Sequence, residues 1–163
     1  MNPIKFIIRT GKHYSRNFLR LRITFRSKIE FKYSISAAAR YDYNKVVNGW
    51  SKIIGLSDWW PHLNSCRLAF INNGYGLQVG FYSYCKGVRK MSPVTGIVPG
   101  VVYSIKIERK RKEYIISHTT AEGVTSTSFL SMPNRYLPWQ FILHPYVGGR
   151  FTLDKDLTIL IYK

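Results

Sequence analysis

Between Leu19 and Ile35 the chain reads LRLRITFRSKIEFKYSI. The odd positions are Leu, Leu, Ile, Phe, Ser, Ile, Phe, Tyr and Ile. The even positions are Arg, Arg, Thr, Arg, Lys, Glu, Lys and Ser. A period of two places every second side chain on one face of an extended strand, so this stretch reads as half-buried β structure. A helix would scatter Arg20, Phe25 and Arg26 around all of its sides. Seventeen residues is long for one strand, and Ser27 interrupts the apolar row, so a bend or bulge is expected there. The pattern predicts Leu19, Leu21, Ile23, Phe25, Ile29, Phe31 and Tyr33 inward. It predicts Arg20, Arg22, Arg26, Lys28 and Lys32 outward as an anion-facing row.

The rest of the chain repeats the theme. Ile4–Ile8 is a short strand, and Thr10–Asn17 is a polar loop. Residues 36–43 (SAAARYDY) hold the one helical or irregular insert. Strands follow at Trp50–Leu56, Ser65–Ile71 and Leu77–Cys85. The last two are joined by NNGYG, an Asn-Gly turn signal. Gly80 inside its strand suggests a bend or a close backbone approach. Lys86-Gly87 turns the chain, and Ser92–Gly100, with two prolines and two glycines, reads as a loop. Val101–Glu108 and Glu113–His118 flank RKRK at 109–112, which predicts a hairpin with an exposed basic tip. One short strand ending near Phe129, then Gln140–Val147 and Asp156–Tyr162, complete the count. Eight to ten evenly spaced strands without amphipathic helices between them exclude parallel βαβ folds. They predict an all-β antiparallel β-sandwich of jelly-roll or concanavalin-like type. The length, 163 residues, suits one domain over 1–163, with 1–18 as an N-terminal strand or arm.

Charge narrows the partners. Lys and Arg number 25 against 8 Asp and Glu, a formal net charge of +17. Self-repulsion of that size favours an anionic partner: an acidic protein surface, nucleic acid, an acidic glycan or a membrane surface. No apolar run is long enough to span a membrane as a helix. Cys66 and Cys85 show neither zinc spacing nor a disulfide framework and read as core thiols, and no cofactor or metal motif is found.

Three blocks resemble a family. WSKIIGLS (50–57), NSCRLAF (64–70) and HPYVGGRFTLDKDLTILI (144–161) are similar to small proteins of gut Bacteroidetes and their phages, crAss-like phages included. That group carries patterns like NKLFGFS, NSARFGW and YPYFGG…APHDITI in this order. The resemblance implies a concanavalin-like sandwich and a phage or mobile-element origin. Val147 replaces the Phe of PYFGG, and Leu153, Asp154 and Lys155 replace Ala-Pro-His. No catalytic residue carries over.

Reaction chemistry is sparse in the sequence. Paired carboxylates for sugar hydrolysis are not evident among eight acids. Arg67, Gln78, Tyr82, Tyr84, His118 and His144 would suit a lyase acting on uronates if one sheet gathered them. Trp59 and Trp60, in the loop SDWWPHLNS, would serve as aromatic contacts if exposed. The anion-binding residues expected are Arg20, Arg22, Arg26, Lys28, Lys32, Arg109, Lys110, Arg111 and Lys112. On the strand 19–35 the aromatics lie opposite the cations, so nothing there reads nucleic-acid bases. The function expected is therefore a non-enzymatic structural protein, a virion component docking on protein partners through a basic surface. Alternatives are a non-specific, cytoplasmic nucleic-acid-binding protein and a binding module or lyase for acidic polysaccharide.

Overall fold

The computed structural model describes residues 2–15, 22–40, 49–58, 60–132, 138–148 and 152–162. Twelve strands occupy them: β1 Ile4–Ile8, β2 Arg22–Thr24, β3 Lys28–Ile35, β4 Ser51–Ser57, β5 Ser65–Asn72, β6 Leu77–Cys85, β7 Val88–Ile97, β8 Tyr103–Arg109, β9 Glu113–Thr119, β10 Thr125–Ser131, β11 Gln140–Leu143 and β12 Leu157–Tyr162. A single 3-10 turn at Ala37–Ala39 is what the alanine run becomes. All pairings are antiparallel. They build one sheet in the order β1-β12-β3-β8-β9-β10 and a second in the order β2-β11-β4-β5-β6-β7. The inner faces enclose one core that includes Tyr33, Ile53, Leu56, Leu68, Phe70, Ile105, Ile107, Ile116 and Leu157. The expected all-β sandwich is the fold observed.

The opening stretch departs from expectation in an instructive way. It is not one strand. β2 pairs with β11 in the second sheet, and β3 pairs with β12 and β8 in the first. Phe25–Ser27 carries the chain from one sheet to the other. Two packed sheets face each other, so a chain crossing between them reverses which parity points inward. In β3 the odd positions Ile29, Phe31 and Tyr33 are buried as predicted. In β2 the parity is inverted: Thr24 is buried, while Ile23 and Phe25 are 54% and 73% exposed. Leu19, Arg20 and Leu21 lie outside the described residues. Two other expectations also change. Ser92–Gly100 is not a loop throughout: β7 runs on to Ile97 along the edge of the second sheet, where Pro93 needs no ladder donor. Arg109 is not on the hairpin tip. It continues the inward parity of Tyr103, Ile105 and Ile107 and is buried, leaving Lys110, Arg111 and Lys112 exposed around the turn closed by the Lys110 N–H on the Glu113 carbonyl.

Cys66 is a fully buried free thiol, pushed up by burial, and Cys85 is free and half-buried. A polar cluster sits inside the first sheet. The Tyr33 hydroxyl and His118 Nε2 are 2.8 Å apart, and Tyr103 stacks on the His118 ring. His118 is fully buried, and burial lowers its pKa from the ordinary 6.5 to about 4. The neutral ring is thus the folded form, and its stabilisation is complete above the unfolded value near 6.5. Stability should fall on acidification from there through pH 4, by on the order of 3 kcal/mol. Thermal melts across that range check this: His118→Phe should flatten the pH dependence, whatever its effect on the melting temperature at neutral pH.

Candidate functional site

The expected cationic row is dismantled by the fold. Lys28 and Lys32 lie on the outer face of the first sheet, with Glu30 between them on β3 and Lys106 and Glu108 beside them on β8. Lys28 pairs with Glu30 at 2.8 Å, and Lys106 and Lys110 reach Glu108 at 3.9 and 2.5 Å. Lys110, with help from Lys106 and Lys28, holds the Glu108 carboxyl below its ordinary value. This face is largely neutralised by its own acids. Arg26 is exposed in the crossover, Arg22 contributes only its backbone to the description, and Arg20 and Trp59 lie outside the described residues. Arg111 and Lys112 stay exposed at the hairpin tip. Trp60 is 60% exposed, as an aromatic contact requires. Asp58 fixes its loop by accepting bonds from the Trp60 N–H and the Asn64 side-chain amide.

Uncompensated charge gathers instead on the outer face of the second sheet. Core residues Leu68 and Phe70 on β5 and Val79 and Phe81 on β6 fill the inner face. Alternation therefore turns Arg67, Ala69, Gly80, Tyr82 and Tyr84 outward. Cross-strand register aligns Leu143, Gly55, Arg67, Tyr82 and Met91 in one row. The neighbouring row runs Ile23, Phe141, Ser57, Ser65, Tyr84 and Arg89. On the other side lie Lys52, Ala69, Gly80 and Pro93, with Tyr146 bridged to Lys52. The small residues of these rows are themselves covered, Gly55 by Arg67, Gly80 by Trp50, and Ser57 and Ser65 by the loop that follows β4, so aromatics and cations form the layer above them.

Two glycines are required here. A Cβ on Gly55 would lie 2.7 Å from Arg67 Cγ and 2.3 Å from the Cys66 carbonyl oxygen, so the arginine stem lies flat across Gly55. A Cβ on Gly80 would be 3.0 Å from the Trp50 ring, which covers that position and explains the glycine flagged in the sequence.

Arg67 is more than nine-tenths buried, and its Nε has no hydrogen-bond partner. Lys52 Nζ sits 4.7 Å from the Tyr82 ring centroid and 5.7 Å from that of Tyr146, and donates to the Trp50 carbonyl. Burial, with Arg67 and Arg89 nearby, lowers the Lys52 pKa to about 8. The Tyr82 hydroxyl donates to Tyr84 at 3.2 Å. Burial, followed by that bond, raises the Tyr82 pKa to about 12, against the pull of Arg89. The His62 ring meets Tyr84 edge-on, and His13 stacks on Tyr146. Among the described residues no carboxylate forms an ion pair with Lys52, Arg67 or Arg89. Buried charge without an opposite charge is costly, and the aromatic rings and phenols around Lys52 and Arg67 only partly compensate it.

Of the six residues named for lyase chemistry, the sheet gathers Arg67, Tyr82 and Tyr84, with Gln78 further along the same face. His118 belongs to the core of the other sheet, and His144 packs near Phe6. Lys52, Arg89, His62 and Tyr146 were not singled out. Their strands are separated in sequence, and only the register joins them. No metal-holding group of three or more His, Cys, Asp or Glu occurs among the described residues.

No protein-family model and no curated protein matches the chain. Solved structures share its fold. The alginate lyase from Klebsiella pneumoniae superposes with a TM-score of 0.64 at 14% identity, over 83% of this chain and 57% of the lyase. A functionally unknown protein from Saccharomyces cerevisiae gives 0.61 at 10% identity, over 99% and 85%. The family GH16 endo-β-1,3(4)-glucanase SCLam gives 0.52 at 11%, over 87% and 59%. The chain thus spans little more than half of the two enzymes, and the likeness establishes a concanavalin-like jelly roll. It also corrects one expectation: structures of this fold are mostly enzymes, so a chain without a reaction of its own no longer follows. Nothing in these likenesses supports a virion role.

Gly55→Ala should push Arg67 off its seat and strain the β4–β5 pairing. A destabilisation of about 2 kcal/mol is expected, read as a lowered denaturant midpoint, whereas Gly123→Ala, at a turn with open space, should cost less.

Proposed function

We propose that this chain acts on an acidic polysaccharide, held across the outer face of the second sheet, and that its reaction is a lyase-type elimination. The observation that carries this is the gathering of Lys52, Arg67 and Arg89 on one face, where no described carboxylate pairs with them. A uronate carboxylate is an anion of the size and charge that such a cation cluster attracts. Hydrolysis by a pair of acids would need two carboxylates facing one cleft. The described acids lie elsewhere: Glu30, Glu108 and Glu113 on the first sheet, Glu122 in the turn between β9 and β10, Asp154 and Asp156 ahead of β12, and Asp58 tied into its loop. Elimination asks for something else, and this face supplies it. Arg67 and Lys52 neutralise the uronate carboxylate, which makes the proton on the neighbouring carbon removable. His62, edge-on to Tyr84, takes up that proton. Tyr82, a phenol kept protonated by burial, donates to the departing glycosidic oxygen. The C–H electron pair becomes the new C=C bond as the C–O bond breaks. That solved enzymes of this fold include an alginate lyase supports the same reading.

The test is incubation with alginate and other polyuronates, followed by the ultraviolet absorbance of the unsaturated product, with calorimetric binding in parallel. Arg67→Ala should abolish the product signal and weaken polymer binding at least tenfold. Random-sequence DNA bound as tightly as the best polyuronate, with no product from any of them, would overturn the proposal.

Lys52 adds a pH signature. Its ammonium attracts the ligand fully below pH 8, and the attraction is lost as pH rises through that value. Affinity should therefore decline above pH 8 in the native chain and stay flat in Lys52→Arg.

A further inference from the structure

Four strands end the two sheets, β1 and β10 in the first and β2 and β7 in the second, and three of them are short or interrupted. β7 carries Pro93 and a bulge, β2 has three residues with Arg22 among them, and β1 has five with Lys5 at its second position. β10 has none of these devices. With its two flanking residues it reads VTSTSFLSM from Val124 to Met132, without a charge, a proline or a glycine. Among the described residues no strand lies on its outer side. The Met132 N–H donates to the Lys112 carbonyl, and the Thr120 N–H donates to that of Val124. These bonds fix the phase of the ladder: even-numbered residues of β10 exchange bonds with β9. The N–H and C=O groups of Thr125, Thr127, Phe129 and Ser131 therefore point away from it, along the free edge. Phe129 and Val124 are 66% and 64% exposed there.

We infer that β10 is a dimer seam, at which a second copy of this chain pairs antiparallel about a two-fold axis at Ser128. In that register the edge is complementary to itself. Thr125 faces the second copy's Ser131 and Thr127 faces its Phe129, so all four odd positions are engaged and about eight backbone hydrogen bonds form. No other register engages all four. The two Phe129 rings become diagonal neighbours on the outer face, within reach of each other. Val124 falls opposite Met132, which packs on the core, so exposed apolar surface covers apolar surface. Charge agrees with this register. Met132 lies beside Lys112, which sets the Arg111 and Lys112 tip of one copy next to the Thr120–Val124 turn of the other. That turn holds Glu122, and among the described residues neither Glu122 nor Arg111 nor Lys112 has an ion pair within its own chain. Repulsion between two copies of charge +17 is offset by this contact at the seam and screened by salt elsewhere. The dimer joins the two first sheets into one and leaves both second sheets on the same side of it. A single long polyanion then meets two cationic faces and is held with avidity.

The experiment is analytical ultracentrifugation over a concentration series at about 150 mM salt. The native chain should pass from 19.0 kDa to twice that mass as concentration rises. Thr127→Pro removes an N–H that points along the free edge and no bond to β9, and Phe129→Ser removes the diagonal ring pair. Each should raise the dimer dissociation constant at least tenfold. Glu122→Lys should raise it several-fold, and adding Lys112→Glu to that variant should recover part of the loss. Circular dichroism and thermal melts of the dilute, monomeric samples report folding; if Thr127→Pro does not fold, Phe129→Ser carries the test, its side chain being exposed in the single copy. A native chain that stays at 19.0 kDa up to about 1 mM overturns the inference. A dimer that persists unweakened in the folded edge variants overturns it as well, because its seam then lies elsewhere. Neither result bears on whether polyuronate binds the cationic face.

Discussion

The placement of β5 is the constraint from which the rest follows. It is a central strand, paired with β4 and β6 along most of its length, and buried on both faces. On one side Cys66, Leu68 and Phe70 enter the core. On the other Arg67 is pressed onto Gly55 and flanked by Tyr82. A cation buried in the middle of a sheet is expensive unless something anionic meets it. The protein supplies aromatic rings and phenols near that charge, and among the described residues no carboxylate pairs with it.

The two outer faces handle charge in opposite ways. The first sheet intersperses Lys28, Lys32 and Lys106 with Glu30 and Glu108, which makes a solvated, mutually compensated surface of modest energetic weight. The second holds Lys52 and Arg67 in a partly dehydrated setting, where Coulomb forces are less screened, with Arg89 exposed beside them. The net charge of +17 is therefore a poor guide to where uncompensated charge lies. Residues that look cationic in sequence are in part neutralised, and the consequential arginine stands alone in the apolar stretch NSCRLAF.

Much of the architecture was legible from periodicity. Alternation over Lys28–Tyr33, Tyr103–Glu108 and Leu157–Tyr162 marks strands with one dry face, and turn chemistry at Asn73-Gly74 and Lys86-Gly87 marks their joins. What could not be read was which sheet each strand joins. Ile23 and Phe25 look identical in pattern to Ile29 and Phe31, yet the crossover between them inverts inside and outside. Arg109 belongs by spacing to the basic turn but by parity to the core. The site suffered most, because Lys52, Arg67, Tyr84, Arg89, Phe141 and Tyr146 become neighbours only through register. Gly55 and Gly80 were the faint local signals, since a glycine inside a buried strand implies something lying across it.

Pro93 has a bearing on how copies of this chain behave together. It sits in β7, at the rim of the second sheet, opposite Gly80 and beside a bulge. With no amide hydrogen, it interrupts the line of donors that another strand would need to zip onto that rim, and Arg89 and Lys90 add repulsion between identical edges. A chain so rich in strands is thereby guarded against growing its sheet by self-association along this border. The exposed Arg89 and Tyr146 on the adjoining face are thereby kept out of a seam between molecules.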